Sequence, residues 1–297
     1  MVNLLRSRKA ISSHPVDTHG APAGRHPRPG RVIGVTGATG APGRTFLSVN
    51  LAVGLAAEGM TVVLIDADPH LGAVAVQLDL AEDRSLNFLA HETTLRPVSD
   101  DLITRHLQTA VGLNVLAGRS IVAVGETGPE TLLPEVVAHL RRRFDLVVID
   151  VGALDCRPAQ LSALACQLLV WVAVPTKLGT DLLDRTLSGS LAGQVRIKPS
   201  LVVLNRLGPA GLRDADRSLR RRYGMAVAAA IPEHRSACLE AEDRAVPAAL
   251  RGALASSLRR CARAVEAALP GSAAESREPT AGLRAEVAGG FLPESLP

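Results

Sequence analysis

Three glycines and three aspartates carry the chemistry that stands out in this chain. Residues 32–45, VIGVTGATGAPGRT, lead an apolar run into Gly37, Gly40 and Gly43 and then into a helical stretch. Glycines at such a turn let backbone N–H groups close on an anion, and the helix N-terminus behind them adds partial positive charge. Asp66 ends the run TVVLID, Asp68 follows two residues on, and Asp150 ends DLVVID. In an open α/β sheet the carboxyl ends of the strands are where ligands bind, so these carboxylates stand in the right place to meet one. Asn205 ends SLVVLN in the same way. Each residue also has a structural alternative. The aspartates could cap helices, Asn205 could bond a turn, and the glycines could serve backbone geometry alone.

The elements that must position these groups are short Val/Ile/Leu runs alternating with amphipathic stretches. Strands are expected at 31–36, 61–66, 113–117, 145–150, 168–174, 200–205 and 226–231, and helices at about 44–58, 130–143, 179–191, 212–222 and 248–268. Continuous apolar runs bounded by helices predict an α/β fold: a doubly wound, mainly parallel sheet with helices on both faces. Residues 1–30 and 270–297 mix Pro, Gly, Ser and charge without periodicity and read as flexible tails around a domain at 31–269.

Composition removes several function classes. The 297 residues are 47% hydrophobic and 21% charged, a globular balance, and that length supports a large core without staples. Aromatics make up only 2%, too few for a base-stacking platform. No apolar run is long enough to span a bilayer, and the basic start lacks the apolar block of a signal peptide. The four cysteines, Cys156, Cys166, Cys238 and Cys261, form no CxxC pair and no metal-like spacing with histidine. That pattern points to a reduced, cytoplasmic compartment and sets disulfide and zinc frameworks aside. The net charge of +4 is concentrated in residues 1–31, where six basic residues face Asp17. The rest of the chain is close to neutral, so the basic pI is no argument for a nucleic-acid partner.

The glycine turn alone fits two families. Thr36–Gly43 resembles the GxxGxxG turn of the short-chain dehydrogenases, which would imply NAD(P). Ala38–Thr45 resembles the deviant Walker A loop of the MinD/ParA superfamily. The dehydrogenase helix after the last glycine is shorter than the sixteen residues from Gly43 to Gly59 here. The Tyr-x-x-x-Lys pair is also missing, since Tyr223, the only tyrosine, is followed four residues later by Val227. FLSVNLAVGLAAEG at 46–59, LIDADP at 64–69, FDLVVIDVG at 144–152, VVLNR at 202–206 and IPE at 231–233, followed by LEA at 239–241 and AVP at 245–247 in the segment that closes around the adenine, resemble MinD/ParA segments in that family's order. The chain is therefore identified as resembling the MinD/ParA superfamily across residues 31–268.

That resemblance implies Mg-ATP as the bound nucleotide and a weak ATPase activity. It assigns the phosphates to Gly40, Ala41, Pro42, Gly43, Arg44, Thr45 and Phe46. It gives Mg²⁺ to Thr45, with Asp66 and Asp150 in its outer shell. It gives the attacking water to Asp68, β/γ charge to Arg44 and γ-phosphate sensing to Gly152. The adenine falls to Asn205, Arg206 and Pro232. The implied output is spatial organisation: division-site placement, chromosome partitioning, or positioning of a pilus or secretion apparatus, through an ATP-dependent homodimer and a protein partner.

Three loop positions depart from the family pattern. Thr39 stands at the signature lysine, Arg44 at the Walker lysine and Phe46 at the second hydroxyl. A planar guanidinium does not replace a compact ammonium, and a threonine cannot reach across a dimer. These substitutions resemble the CpaE/TadZ-like branch and MinD-like proteins of high-GC bacteria. They also keep open a non-hydrolysing nucleotide-binding scaffold, with the NAD(P)-binding reading third. Arg213, Arg217, Arg220, Arg221 and Arg222 against Asp214 and Asp216 offer a surface for nonspecific DNA or a solvated face. Residues 281–294 do not match the basic membrane helix that ends MinD proteins, so membrane contact is expected to be peripheral at most.

Overall fold

The computed structural model describes residues 28–269, apart from Thr39, Ala41, Leu71, 119–130, 190–194, 196–197 and 209–211. Eight strands form one sheet: β1 (Arg31–Gly37), β2 (Val62–Asp66), β3 (Gln108–Ala110), β4 (Leu113–Leu116), β5 (Leu146–Ala153), β6 (Leu168–Ala173), β7 (Ser200–Leu207) and β8 (Ala226–Pro232). Their spatial order is β3-β4-β2-β5-β1-β6-β7-β8, and all the pairings are parallel except that of β3 with β4. All seven strands expected from the sequence are present. The edge strand β3 is additional: a three-residue, largely polar segment gives no alternation to read. It turns into β4 through Val111 and Gly112, both with positive φ, the backbone a two-residue hairpin favours.

Helices cover both faces. They are α1 (Arg44–Ala57), α2 (Val74–Gln77), α3 (Leu86–Thr93), α4 (Asp100–His106), α5 (Leu133–Leu140), α6 (Arg157–Leu164), α7 (Lys177–Ser188), α8 (Leu212–Tyr223), α9 (Arg235–Asp243) and α10 (Ala255–Ala267). β2, β5 and β6 are buried along their whole length because both faces are covered. Alternate residues of β5 feed opposite cores: Val147, Ile149 and Val151 pack with Phe144 and Trp171, while Leu146 and Val148 pack with Leu47, Leu51 and Leu258. The helix expected at about 248–268 begins only at Ala255. Turns occupy 248–254, and there the Ala249 N–H donates to Asn50 Oδ1 at 2.7 Å, fixing the segment against α1. The short helices α3, α4, α6 and α9 were not expected from the sequence; Ser85 and Ser99 cap the first two through side-chain oxygens.

The sheet order places the site. β1 lies between β5 and β6, and the chain runs to one side for β2 and to the other for β6 and β7. That reversal makes the carboxyl end of β1 the switch point at which such sheets bind ligands. It also separates this fold from the dinucleotide-binding order 3-2-1-4-5-6, in which the first two strands are neighbours. Here β5 is inserted between β1 and β2. The N-terminal boundary is anchored by Gly30, whose N–H donates to the Arg141 carbonyl and whose carbonyl accepts from Arg141 Nε. Of the tails expected at 1–30 and 270–297, residues 1–27 and 270–297 lie outside the described residues. Among the described residues, no helix is long and apolar enough to cross a membrane.

Candidate functional site

The loop after β1 is built by close approaches that only glycine allows. A Cβ on Gly37 would stand 2.6 Å from the Val172 carbonyl oxygen. Gly43 has φ +93 and opens α1 with no side-chain cap, so the first N–H groups of the helix face the loop without a side-chain partner. Asn205, at the end of β7, reaches the same turn from 163 residues away. Its Nδ2 donates to the Pro42 carbonyl at 2.8 Å, and its Oδ1 accepts from the Arg206 N–H at 3.0 Å. A Cβ on Gly43 would fall 2.4 Å from that Nδ2, so the close approach and the clamp require each other. Arg44 folds back on the loop: its Nη1 donates to the Ala38 carbonyl at 2.6 Å, while Nε is buried without a partner. Thr39 and Ala41 lie outside the described residues.

The carboxylates gather beside the loop at the ends of β2 and β5. Asp66 and Asp150 are register partners across these strands, both almost fully buried. Asp66 accepts from the N–H groups of Asp68 and Val74, at 3.3 and 3.1 Å, and so shapes the loop that follows it. Burial, reinforced by the Asp150 charge, pushes its carboxyl up to about 8. Burial pushes Asp150 up to about 6. The Thr45 and Ser48 hydroxyls and the Arg44 charge favour its ionised form, while Asp68 opposes it. Those hydroxyls stop short of closing a hydrogen bond, and both Asp150 oxygens are buried without a partner. Asp68 accepts from the His70 N–H at 2.9 Å and packs against Gly152, where a Cβ would lie 2.5 Å from its Cγ. Thr36 Oγ1 donates to the Gly152 carbonyl at 3.0 Å and ties the ends of β1 and β5 together.

This arrangement fits a hard divalent cation. The donors are all oxygens, and an orphaned buried carboxylate needs a positive partner. Thr45 and Asp150 are the groups best placed to hold it, with Asp66 behind them already engaged in shaping its own loop.

A cleft of about 580 Å³ opens from the loop along β7 and β8, within the usual size range of ligand sites. Gly43, Arg44, Thr45, Phe46, Asn205, Arg206 and Pro232 all line it. Gly40 lies instead against Leu182 of α7, and Asp66 and Asp68 line a separate narrow crevice. Of the far wall, the resemblance gave Leu239 of α9, which lines the cleft, but not Arg235, Cys238 and Glu242 of the same helix or Gln77 of α2. His234 caps α9 by accepting from the Ala237 N–H.

Comparison with known proteins agrees with this geometry. A family model described as an AAA domain matches residues 30–171. The chromosome partitioning protein ParA of Myxococcus xanthus is 27% identical over 133 residues, 41% of this chain and 44% of that protein. The septum site-determining protein MinD of Synechocystis is 31% identical over 183 residues, 60% of this chain and 65% of that one. The chain thus spans less than two thirds of the curated relatives it matches. MinD of Pyrococcus horikoshii, solved in complex with Mg-ADP, superposes with a TM-score of 0.65 at 20% identity over 80% of this chain and 96% of that one. The fold and the loop define a P-loop protein of the doubly wound α/β class. In sequence and in fold the chain is similar to proteins of the MinD/ParA superfamily.

Proposed function

We propose that this protein binds Mg-ATP in the cleft between the glycine loop and α9 and is a slow ATPase. In this reading its nucleotide state controls homodimerisation and the recruitment of a protein partner in the cytoplasm. The output is the placement of cellular machinery: a division site, a partitioning chromosome, or a pilus or secretion apparatus. The observation that carries the reading is the orphaned Asp150 carboxylate beside Thr45, at the mouth of a glycine turn that leads into the cleft. A Mg²⁺ ion held there would neutralise phosphate charge. The chain's own groups do the rest: N–H groups of the loop and of the first turn of α1 face the phosphates, Asp68 orients water, and Gly152 leaves room for it.

Asn205 takes a different part from the one expected. Its carboxamide already bonds Pro42 and Arg206, so it sets the spacing between the loop and the adenine wall and has one remaining N–H for a base. The Mg-ADP complex of the Pyrococcus relative supports the choice of nucleotide. The deciding experiment is a calorimetric titration of the protein with ATP, with and without Mg²⁺. Micromolar, Mg²⁺-dependent binding is expected, and absence of binding refutes the reading.

A second reading, a scaffold that binds nucleotide without hydrolysing it, draws on Arg44, whose guanidinium already donates to the Ala38 carbonyl. Sustained Mg²⁺-dependent phosphate release would exclude it. As for nonspecific DNA, two arginines of the α8 patch are already paired: Arg220 with Asp216 and Arg222 with Asp184. Pairing that reduces the patch's free charge in this way favours the solvated-face reading.

A further inference from the structure

His70, Asp155 and Cys156 converge on the surface just beyond Asp68. His70 Nε2 stands 2.9 Å from Asp155 Oδ1, and one ligand atom from each of the three residues lies within 4.8 Å of the other two. The residues come from two loops 85 positions apart, His70 from the one after β2 and Asp155 and Cys156 from the one between β5 and α6. Among the described residues no other His, Cys, Asp and Glu group of this kind occurs.

We propose that His70, Asp155 and Cys156 form a site for a borderline-soft divalent cation of the zinc class. An imidazole nitrogen, a carboxylate oxygen and a thiolate are the mixed donor set that zinc accepts and that magnesium does not favour. Tetrahedral coordination at the usual bond lengths needs donor atoms roughly 3.3–3.8 Å apart. Reaching that spacing requires the 2.9 Å His–Asp pair to open and the three atoms, which lie within 4.8 Å of one another, to draw together. Three protein ligands leave a fourth position for water, and the exposure of His70 and Asp155 gives the ion an entry path. The alternative, an exposed ion pair beside an unrelated thiol, would contribute little to the fold.

The position of the site gives it a consequence. His70 also donates its N–H to Asp68, and Gly152, against which Asp68 packs, lies three residues before Asp155. An ion bridging the two loops would therefore clip them together across the Asp68–Gly152 contact and hold Asp68 in its present place. That consequence rests on the ATPase reading above; binding of the ion does not.

The test is a cobalt titration of the full chain without nucleotide, in excess Mg²⁺ to occupy the all-oxygen positions. One Co²⁺ per chain is expected, with near-ultraviolet thiolate-to-cobalt absorption that Zn²⁺ abolishes by displacement. Cys156→Ser should remove that band. His70→Ala and Asp155→Asn should each weaken binding by at least the roughly tenfold that even outer-shell partners are worth. Circular dichroism of each variant separates lost ligation from lost folding. Absence of the band in the wild-type chain, or its survival in Cys156→Ser, would overturn the proposal. Because no nucleotide is present, neither result depends on whether ATP binds.

Discussion

The two halves of the site differ in what they lack. The glycine loop is largely held by its own contacts among the described residues: Asn205 holds the Pro42 carbonyl, Arg44 holds the Ala38 carbonyl, and the glycines absorb the positive φ, with Arg44 Nε left as the one buried polar side-chain atom without a partner there. The carboxylate half is not satisfied. Asp150 has no hydrogen-bond partner at either oxygen, and Asp66 is held far above its ordinary value by burial and by its neighbour's charge. A preformed loop can wait for its ligand at little cost, whereas buried carboxylates without partners destabilise the fold until a cation arrives. On the proposed reading a divalent cation is the component the carboxylate half most needs, and phosphate binding would compete with the loop's own hold on Arg44.

The sharpest way to break this division of labour is Asp68→Ala. The side chain sits in the unsatisfied half yet outside the nucleotide cleft, so binding of ATP should survive. Turnover should fall by about 10²–10⁴, the range for a positioned acid–base group. Single-turnover phosphate release measures it, and retained hydrolysis would remove Asp68 from the chemistry. Arg44→Ala probes the satisfied half. It removes a charge-assisted partner of the phosphates, so ATP affinity should drop by roughly tenfold or more, in line with hydrogen bonds to charged groups. Calorimetry decides: unchanged affinity would mean that the guanidinium never leaves the Ala38 carbonyl.

Both halves were legible in the sequence to different depths. The loop could be read almost entirely, because its glycines, Arg44 and Thr45 are contiguous and strand-to-helix turns of this kind have a fixed grammar. The carboxylates at 66, 68 and 150 could be placed because apolar runs mark strand ends, although nothing showed that Asp66 would shape its own loop or that Asp150 would be orphaned. Asn205 was found by position, but its bond to Pro42 joins residues 163 apart and has no local signature. Of the wall formed by α9 only the Leu239 segment was read, by resemblance; that the stretch is a helix stayed hidden because RSACLEAED is too short and too mixed to show a clear helical face. The His70–Asp155–Cys156 group is the extreme case. Metal spacing is read within short windows, and these ligands are brought together only by the insertion of β5 beside β2.

Gly43→Ala tests whether the loop's geometry is as constrained as its contacts imply. The added Cβ meets Asn205 Nδ2 and forces alanine to a φ of +93. Strain of this kind costs about 1–3 kcal/mol, which lowers the melting point of a domain this size by a few to about 10 °C. A melting point equal to that of the wild-type chain would show that the clamp yields freely.

The smallest effect concerns the acidic half and carries a sign. Asp66 and Asp150 are held up to about 8 and about 6, above the ordinary carboxylate value of 3.8. The folded protein therefore keeps protons that the unfolded chain has already released. Where the native state binds more protons, stability decreases with rising pH. Without a divalent cation the melting point should thus fall as pH rises from about 4 through about 6 and on to about 8. Mg²⁺ favours the ionised carboxylates, so it should flatten that slope and raise the melting point most at the alkaline end. Asp150→Asn removes one charge and should mimic the cation, raising the metal-free melting point near pH 8 by a few degrees, at about 2–4 °C per kcal/mol. Below about pH 4, where the carboxyl is protonated in the unfolded chain as well, it should change little. Melting curves at both pH values, with and without Mg²⁺, measure all three effects. A melting point that ignores Mg²⁺ and is unmoved by Asp150→Asn would mean that Asp150 finds its counter-charge within the chain, and the contrast between the two halves would disappear.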